Sequence, residues 1–136
     1  MSYKLGKHLP PVNGESALYW EGCKQGELRL QHCASCSHIQ FYPRLLCTRC
    51  SGRRLSWIAA SGEGRVKSFT IVRRAVSEAY EPDVPYVIAL IELAEGPTMM
   101  SNVVGCDPET VEMNMPVRVK FEPWTEEISM PLFEPA

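Results

Sequence analysis

The sequence predicts a mainly β protein with a short N-terminal helix, a metal-binding ribbon and a small β-barrel or β-sandwich. Two CxxC pairs lie ten residues apart in the stretch LQHCASCSHIQFYPRLLCTRCSG, residues 30–52. A helical pattern precedes this stretch, and short β-rich segments separated by proline and glycine follow it. We therefore expect an arm and helix in residues 1–27, the ribbon in residues 28–60, and the barrel with a C-terminal tail in residues 61–136.

The helix is predicted from residues 15–24, ESALYWEGCK, in which Leu18, Tyr19 and Cys23 recur at helical spacing. Residues 1–14 end near two adjacent prolines, which favours an extended arm. After the helix, the segment LRL alternates as in a short strand that leads into the first cysteine pair.

The two CxxC pairs have the residue type and the spacing of a tetrahedral zinc site. Each CxxC turn offers two thiolates, and two turns joined by a hairpin complete a four-sulfur shell. The predicted zinc ligands are Cys33, Cys36, Cys47 and Cys50. A four-cysteine site has no open position for water or substrate, so we expect the metal to stabilise the fold and to do no chemistry. The same ligands accept iron, and the sequence does not separate the two metals.

The N-terminal sequence and the lengths of the apolar runs indicate the compartment of the protein. The N-terminus lacks the apolar core of a signal peptide, and no run approaches the roughly 20 apolar residues that a membrane helix needs. We therefore expect a cytoplasmic protein with no membrane contact. In that reducing compartment, paired CxxC motifs favour metal binding over disulfides.

Four segments after Gly62 are rich in β-branched and apolar residues and are separated by turn residues. These segments are GEGRVKSFTIVRRAV, PYVIALIEL, PTMMSNVVG and PVRVKFEPW. Four to five short strands in about 70 residues indicate a small barrel or sandwich. The apolar tail ISMPLFEP has two interpretations, which are core packing and an anchor for a larger subunit.

The net charge of −2 conceals two regions of opposite sign. Residues 24–74 hold ten basic and two acidic residues, whereas residues 75–136 hold twelve acidic and two basic residues. Two interpretations are open: the two regions attract each other within the fold, or the basic region binds an anionic partner.

The order of these segments resembles the acyl-CoA-associated family that joins a rubredoxin-like zinc ribbon to an OB-fold barrel. The resemblance spans residues 15–133, with motifs in ALYWEGCKQGELRLQHCASC, YPRLLCTRC, SWIAASGEGRVKSFTIVRR and PYVIALIELAEGPTMMSNVVGCDPETVEMNMPVRVKFEP. It implies that the barrel is a Greek-key OB-fold. The chain departs from the family pattern at Ser37, Ser51 and Asn114, where glycine is common, and both residue types tolerate tight turns.

The resemblance also implies a partner. Members of this family are small subunits or fused domains that work beside thiolase-like enzymes or enoyl-CoA hydratases, and the catalytic residue lies in the larger partner. We therefore expect a non-catalytic accessory subunit in a hetero-oligomer with a thiolase-like enzyme subunit. That subunit would be an acyltransferase, a condensing enzyme or a steroid side-chain aldolase, and this chain would help to bind acyl-CoA or to organise the complex.

Two groups of residues are candidates for these contacts. Basic side chains near the junction of ribbon and barrel would pair with the phosphates of coenzyme A. They are Arg53, Arg54, Arg65, Lys67, Arg73 and Arg74. Aromatic side chains on the helix and in the ribbon would anchor the partner. They are Tyr19, Trp20, Phe41 and Tyr42.

Two other classes of function are open to the sequence. Zinc ribbons and OB barrels also occur in proteins that hold single-stranded nucleic acid in a basic groove with aromatic platforms, although the acidic barrel argues against this. A catalytic role would need a nucleophile beside a base. Outside the zinc ligands, Cys23 and Cys106 lie in no nucleophile motif, so we expect both to be packing residues and the chain to lack a catalytic site.

Overall fold

The computed structural model describes residues 6–136, so the first five residues of the predicted arm lie outside the described residues. The elements are α1 Ala17–Lys24, β1 Arg29–Cys33, β2 Ile39–Gln40, β3 Leu55–Ala59, β4 Glu63–Val72, β5 Tyr86–Leu93, β6 Thr98–Val103, β7 Pro116–Pro123 and β8 Ser129–Pro135. Short 3-10 helices, Glu78–Asp83 and Pro108–Thr110, lie in the loops that follow β4 and β6. Among the described helices, none has the length and apolar character that a membrane crossing requires.

The ribbon is a three-stranded antiparallel sheet in the order β2-β1-β3. Its central strand, β1, ends at Cys33, and its partner β3 begins at Leu55 in register with that cysteine. The two CxxC turns therefore lie at one end of the sheet. The predicted boundary at residue 60 falls between β3, the last ribbon strand, and β4.

The second half of the chain forms a closed five-stranded barrel in the order β4-β5-β6-β8-β7, which is the predicted OB-fold topology. Strand β4 pairs with β5 on one side and with β7 on the other, and its register shifts at a bulge between Val66 and Ser68. Gly64 allows the strands to approach here, because a Cβ atom at this position would lie 2.7 Å from the carbonyl oxygen of Glu92. These features confirm the predicted mainly β fold with one short helix.

The tail forms β8, which closes the barrel between β6 and β7. It runs antiparallel to β7 over its full length, whereas Val103 paired with Phe133 is its single parallel pair with β6. Leu132 and Phe133 are buried, so the structure confirms core packing for the tail and gives no support to its role as a free anchor.

One hydrophobic core joins the helix, the ribbon and the barrel. It contains Tyr19 and Cys23 from α1, Leu30 from β1, and Val66 and Phe133 from the barrel. The helix contacts β1, β7 and β8 and therefore lies between the two β modules. Ribbon and barrel fold against each other and are not independent units on a linker.

The described part of the arm lies against the barrel. The Nζ atom of Lys7 forms an ion pair with Asp83, and the backbone N–H of His8 donates a hydrogen bond of 3.1 Å to the hydroxyl of Tyr80. Both partners belong to the 3-10 helix that follows β4.

Candidate metal centre and adjoining surfaces

The four predicted metal ligands come together at the end of the ribbon. Their Sγ atoms all lie within 4.8 Å of one another, and the Cys33–Cys50 and Cys36–Cys47 pairs have S···S distances of 3.6 Å. A tetrahedral ion with metal–sulfur bonds of the length typical for zinc would place the sulfur atoms about 3.8 Å apart. The cluster fits one metal ion bound by four thiolates.

The backbone builds the two halves of the site in the same way. The N–H of Ser37 donates to the carbonyl of Cys33 at 2.8 Å, and the N–H of Ser51 donates to the carbonyl of Cys47 at 2.9 Å. Both serines have positive φ angles, of 65° and 63°. In each half, the first cysteine also donates its own N–H to the carbonyl of the residue that follows the serine. Each CxxC sequence is thus a tight turn that directs two sulfur atoms inwards.

Two buried glutamines hold the segment between the turns, and no sequence motif predicted them. The side-chain amide of Gln40 donates to the side-chain oxygen of Gln31 at 2.9 Å. That oxygen also accepts from the backbone N–H of Arg44, and the Gln40 oxygen accepts from the N–H of Thr48 at 2.8 Å. In this irregular segment, the glutamine side chains accept the hydrogen bonds of backbone N–H groups that have no strand partner. Two polar residues in strand-like surroundings were the only sequence signal for this role.

The four sulfur atoms differ in proton affinity when no metal is bound. The backbone N–H of Cys36 stabilises the Cys33 thiolate and lowers the pKa of Cys33 to about 6, although burial opposes this shift. The pKa of Cys36 rises to about 12: the N–H of His38 favours its thiolate, but burial and the neighbouring sulfur atoms favour the neutral thiol. Four adjacent thiolates repel each other, and a bound cation offsets this electrostatic repulsion.

The two histidines beside the ligands do not belong to the sulfur cluster. His38 lies within 3.3 Å of the Thr48 hydroxyl through its Nε2 atom, and His32 is part of β1.

The six basic residues do not form one patch. Arg54 lies beside the first CxxC turn, because its carbonyl accepts from the N–H of Ala34 at 2.8 Å. Arg65 is near the start of β4 and Arg73 follows its end, and eight residues of strand span up to about 26 Å. Two of the six residues thus precede β3, two lie in β4 and two follow β4, so the set is not concentrated at the junction of ribbon and barrel.

Two of these cations are held by carboxylates. Arg65 pairs with Glu92 at 2.6 Å, and Arg73 pairs with Glu109 at 2.5 Å. The hydrogen bond and the charge of Arg65 lower the pKa of Glu92. Both carboxylates belong to the acidic region, so these pairs support the interpretation that the two charged regions attract each other. Among the described residues, Arg53, Arg54 and Arg74 form no ion pair.

The aromatic residues predicted as partner contacts form an internal cluster. Tyr19 and Trp20 are only 1% and 6% exposed, so the expectation that they present a partner surface is wrong for this conformation. The helix is covered by β1 on one side and by the barrel on another, which buries both rings. Phe41 and Tyr42 pack against them and are half-buried, and the indole N–H of Trp20 donates to the Tyr42 hydroxyl at 2.9 Å.

Comparison with known proteins identifies relatives of both modules. A family model described as "ChsH2, rubredoxin-like zinc ribbon domain" matches residues 20–56. A second model, "ChsH2, C-terminal OB-fold domain", matches residues 57–122. Together the two models cover most of the chain in the order that the structure shows.

Three relatives illustrate the range of proteins to which the chain is similar. It is 34% identical to "Probable enoyl-CoA hydratase alpha subunit" of Thermomonospora curvata over 93% of this chain and 39% of that protein. It is 33% identical to "3-oxo-4,17-pregnadiene-20-carboxyl-CoA hydratase alpha subunit" of Mycobacterium tuberculosis, over 85% and 37%. It is 32% identical to "DUF35 domain-containing scaffold protein" of Methanothermobacter thermautotrophicus, over 70% and 71%. The chain thus spans less than half of either hydratase subunit and most of the scaffold protein.

Two solved structures share the fold. A chain of "Ltp2-ChsH2(DUF35) aldolase" superposes with a TM-score of 0.84 and is 33% identical, over 93% of this chain and 98% of that one. A protein of the DUF35 family from Sulfolobus solfataricus has a TM-score of 0.65 at 16% identity, over 92% and 87%, and supports the fold alone.

Proposed function

Because this chain belongs to the family that joins a ChsH2-type rubredoxin-like zinc ribbon to an OB-fold domain, we propose that it is a non-catalytic accessory subunit of an enzyme acting on acyl-CoA. One observation carries this proposal: nearly the whole chain corresponds to 98% of one chain of an aldolase complex, with a TM-score of 0.84. The scaffold and hydratase-subunit relatives support the same role. The partner that we propose is a thiolase-like enzyme, and the place of action is the cytoplasm.

The metal that we propose is zinc, held by four cysteines in a closed shell. Its role in the complex would be to fix the ribbon, because a four-thiolate site has no position for a substrate. We propose no catalytic role for the two cysteines outside this site. Cys23 is 0% exposed in the core, and Cys106 lies in the turn after β6. The proposal therefore places the reacting groups in the partner.

Affinity purification of the full-length tagged chain from its native cells tests the central claim. We expect the captured protein to be a thiolase-like enzyme, identified by mass spectrometry. After reconstitution, the pair should turn over an acyl-CoA thioester, whereas this chain alone should not. Thioester turnover by the isolated chain would contradict the proposal, and so would a partner activity that is the same with and without it.

We propose that this chain contacts coenzyme A through Arg53 and Arg54, which form no ion pair within the described residues. The double variant R53Q/R54Q should weaken acyl-CoA binding by the reconstituted complex roughly 100-fold at low salt, because it removes two charge-assisted hydrogen bonds to phosphate that contribute roughly 1.5 kcal/mol each. The matched control is R65Q, since Arg65 is already held by Glu92. Equal affinities for all three proteins, measured by calorimetry, would remove this region from the coenzyme A site.

A further inference from the structure

The segment between the two CxxC turns presents two leucines to solvent. The side chains of Leu45 and Leu46 are 69% and 38% exposed. They lie in the sequence RLLCTR, residues 44–49, which we call the ribbon loop. A single exposed leucine is ordinary on a protein surface, so exposure alone does not indicate a contact site. The backbone and the charges around these leucines supply the further evidence.

Two buried side chains hold the ribbon loop in one conformation. The side-chain amide of Gln31 bonds to both the carbonyl and the N–H of Arg44, at 3.0 and 2.9 Å. The side-chain amide of Gln40 donates to the carbonyl of Leu46 at 3.2 Å and accepts from the N–H of Thr48 at 2.8 Å. The backbone is therefore fixed on both sides of the exposed leucines. A loop whose shape is set in advance loses little conformational freedom when it docks.

The charge of the ribbon restricts what the loop docks against. Residues 28–60 hold five arginines and no lysine, aspartate or glutamate. Arg44 and Arg49, at the two ends of the loop, are exposed and form no ion pair among the described residues. Leucines flanked by unpaired cations complement an apolar pocket bordered by carboxylates. Nucleic acid fits less well, because proteins that hold single strands stack the bases on aromatic rings rather than on leucines.

We propose that the ribbon loop docks onto the partner protein by inserting Leu45 into an apolar pocket whose carboxylate rim faces Arg44 and Arg49. This inference rests on the accessory role and deepens it, since it names the surface through which the chain binds its partner. Arg53 and Arg54, assigned above to coenzyme A, are not needed for the contact. The two buried glutamines then serve binding as well as folding, because they hold the loop in the shape that the pocket receives.

The variant L45S tests the apolar part of the contact in the full-length, zinc-loaded protein. The enzyme that the wild type captures from nuclease-treated native lysate should bind L45S about tenfold more weakly, measured by calorimetry, because docking buries a leucine side chain. The melting temperature and zinc content of L45S should match those of the wild type, since the side chain is exposed. L18S is the matched control, because Leu18 is 52% exposed on α1, outside the ribbon.

The double variant R44Q/R49Q tests the charged part of the contact. It should weaken binding of the same enzyme about threefold at low salt and less at high salt, mainly through a slower association rate. The control K24Q/R74Q removes two positive charges outside the ribbon loop and should bind like the wild type. Equal weakening by the two double variants would show that only the net charge matters and would contradict a specific role for the loop arginines.

The photoreactive residue p-benzoylphenylalanine in place of Leu45 identifies what the loop touches. We expect it to cross-link to the captured enzyme, at a peptide that contains apolar residues next to aspartate or glutamate. A cross-link to a basic surface, to nucleic acid or to a second copy of this chain would overturn the proposal. Equal binding of the enzyme by the wild type and L45S would overturn it too, and the accessory role would then stand. Capture of no enzyme by the wild type would overturn both.

Discussion

Ser37, Ser51 and Asn114 adopt positive φ angles of 65°, 63° and 67° without being glycine. They are the three positions at which the family resemblance expects glycine. A left-handed conformation costs an ordinary residue roughly 1–2 kcal/mol, whereas glycine adopts it freely. The ribbon therefore keeps two strained residues at equivalent places beside its metal ligands.

Relief of this strain should be measurable. The variant S37G should raise the free energy of unfolding by up to about 1 kcal/mol. The backbone strain that it removes exceeds the free-energy cost of ordering a more flexible glycine on folding. The control S56G changes an exposed residue of β3 and should lower stability by roughly 0.5–1 kcal/mol. Urea denaturation at equal zinc content measures both. The same loss in both variants would contradict the account.

The buried thiol of Cys23 makes the free energy of unfolding depend on pH in the alkaline range. Burial raises the pKa of its thiol from 9.0 to about 12, and burial also raises the pKa of Tyr19 beside it. The folded state therefore keeps the thiol neutral at pH values where the unfolded chain has lost the proton. Stability is complete below pH 9 and falls as the pH rises from about 9 towards 12, by about 1.4 kcal/mol per unit for this group.

The variant C23A removes this contribution. Between pH 8 and pH 10 the wild type should lose about 1 kcal/mol more unfolding free energy than C23A, although the variant starts from a lower value because of the cavity it creates. Urea midpoints at several pH values provide the comparison. Parallel pH profiles for the two proteins would show that the thiol is not held neutral by the fold.

At the scale of the elements, we expect the ribbon to depend on a bound metal more than on its own apolar contacts. Its sheet contains a two-residue strand, β2, and the segment that connects the CxxC turns is held by glutamine side chains. Such a small element buries too little surface to fold unaided, so metal binding contributes much of its folding free energy.

The variant C47S removes one ligand and should release about one equivalent of metal per chain. Hydrogen exchange should then lose protection across residues 28–55, because the two turns no longer share an ion. C106S, which alters a thiol outside the cluster, should retain the metal. Elemental mass spectrometry measures zinc and iron in both. Full metal content with intact protection in C47S would refute the four-cysteine site.

The sequence predicted α1 and the ribbon but could not show what covers them. Helical spacing identified a face containing Tyr19, and the expectation of an exposed partner surface was wrong because the barrel and β1 both pack on α1. The β8 strand had no clear alternation, and Pro131 and Pro135 weakened its signal. This segment is a strand because it pairs with β7, and a local sequence pattern does not predict that pairing.

At the scale of the molecule, barrel closure depends on the last eight residues. Strand β8 contributes the fully buried Phe133 and pairs with both neighbours. Without it, β6 and β7 would present open edges, and the core would lose contacts worth several kcal/mol in a protein whose total stability is expected to be about 5–15 kcal/mol.

Truncation after Ile128 should therefore abolish the cooperative unfolding transition and expose apolar surface. Near-ultraviolet circular dichroism and binding of an apolar dye report these changes. Removal of Ala136 alone, which takes away one backbone hydrogen bond to Pro116, should leave the transition in place. A cooperative transition that survives the longer truncation would show that the remaining four strands hold the barrel.

Because ribbon, helix and barrel share one core, we expect the amount of folded protein to depend on the supply of trace metal. Leu28 and Leu30 belong to the same buried cluster as barrel residues, so we expect a chain that fails to acquire its ion to expose apolar surface on both modules. We expect such chains to be degraded. Under the proposed accessory role, cells short of zinc would then assemble fewer complexes, and the activity of the partner enzyme would fall.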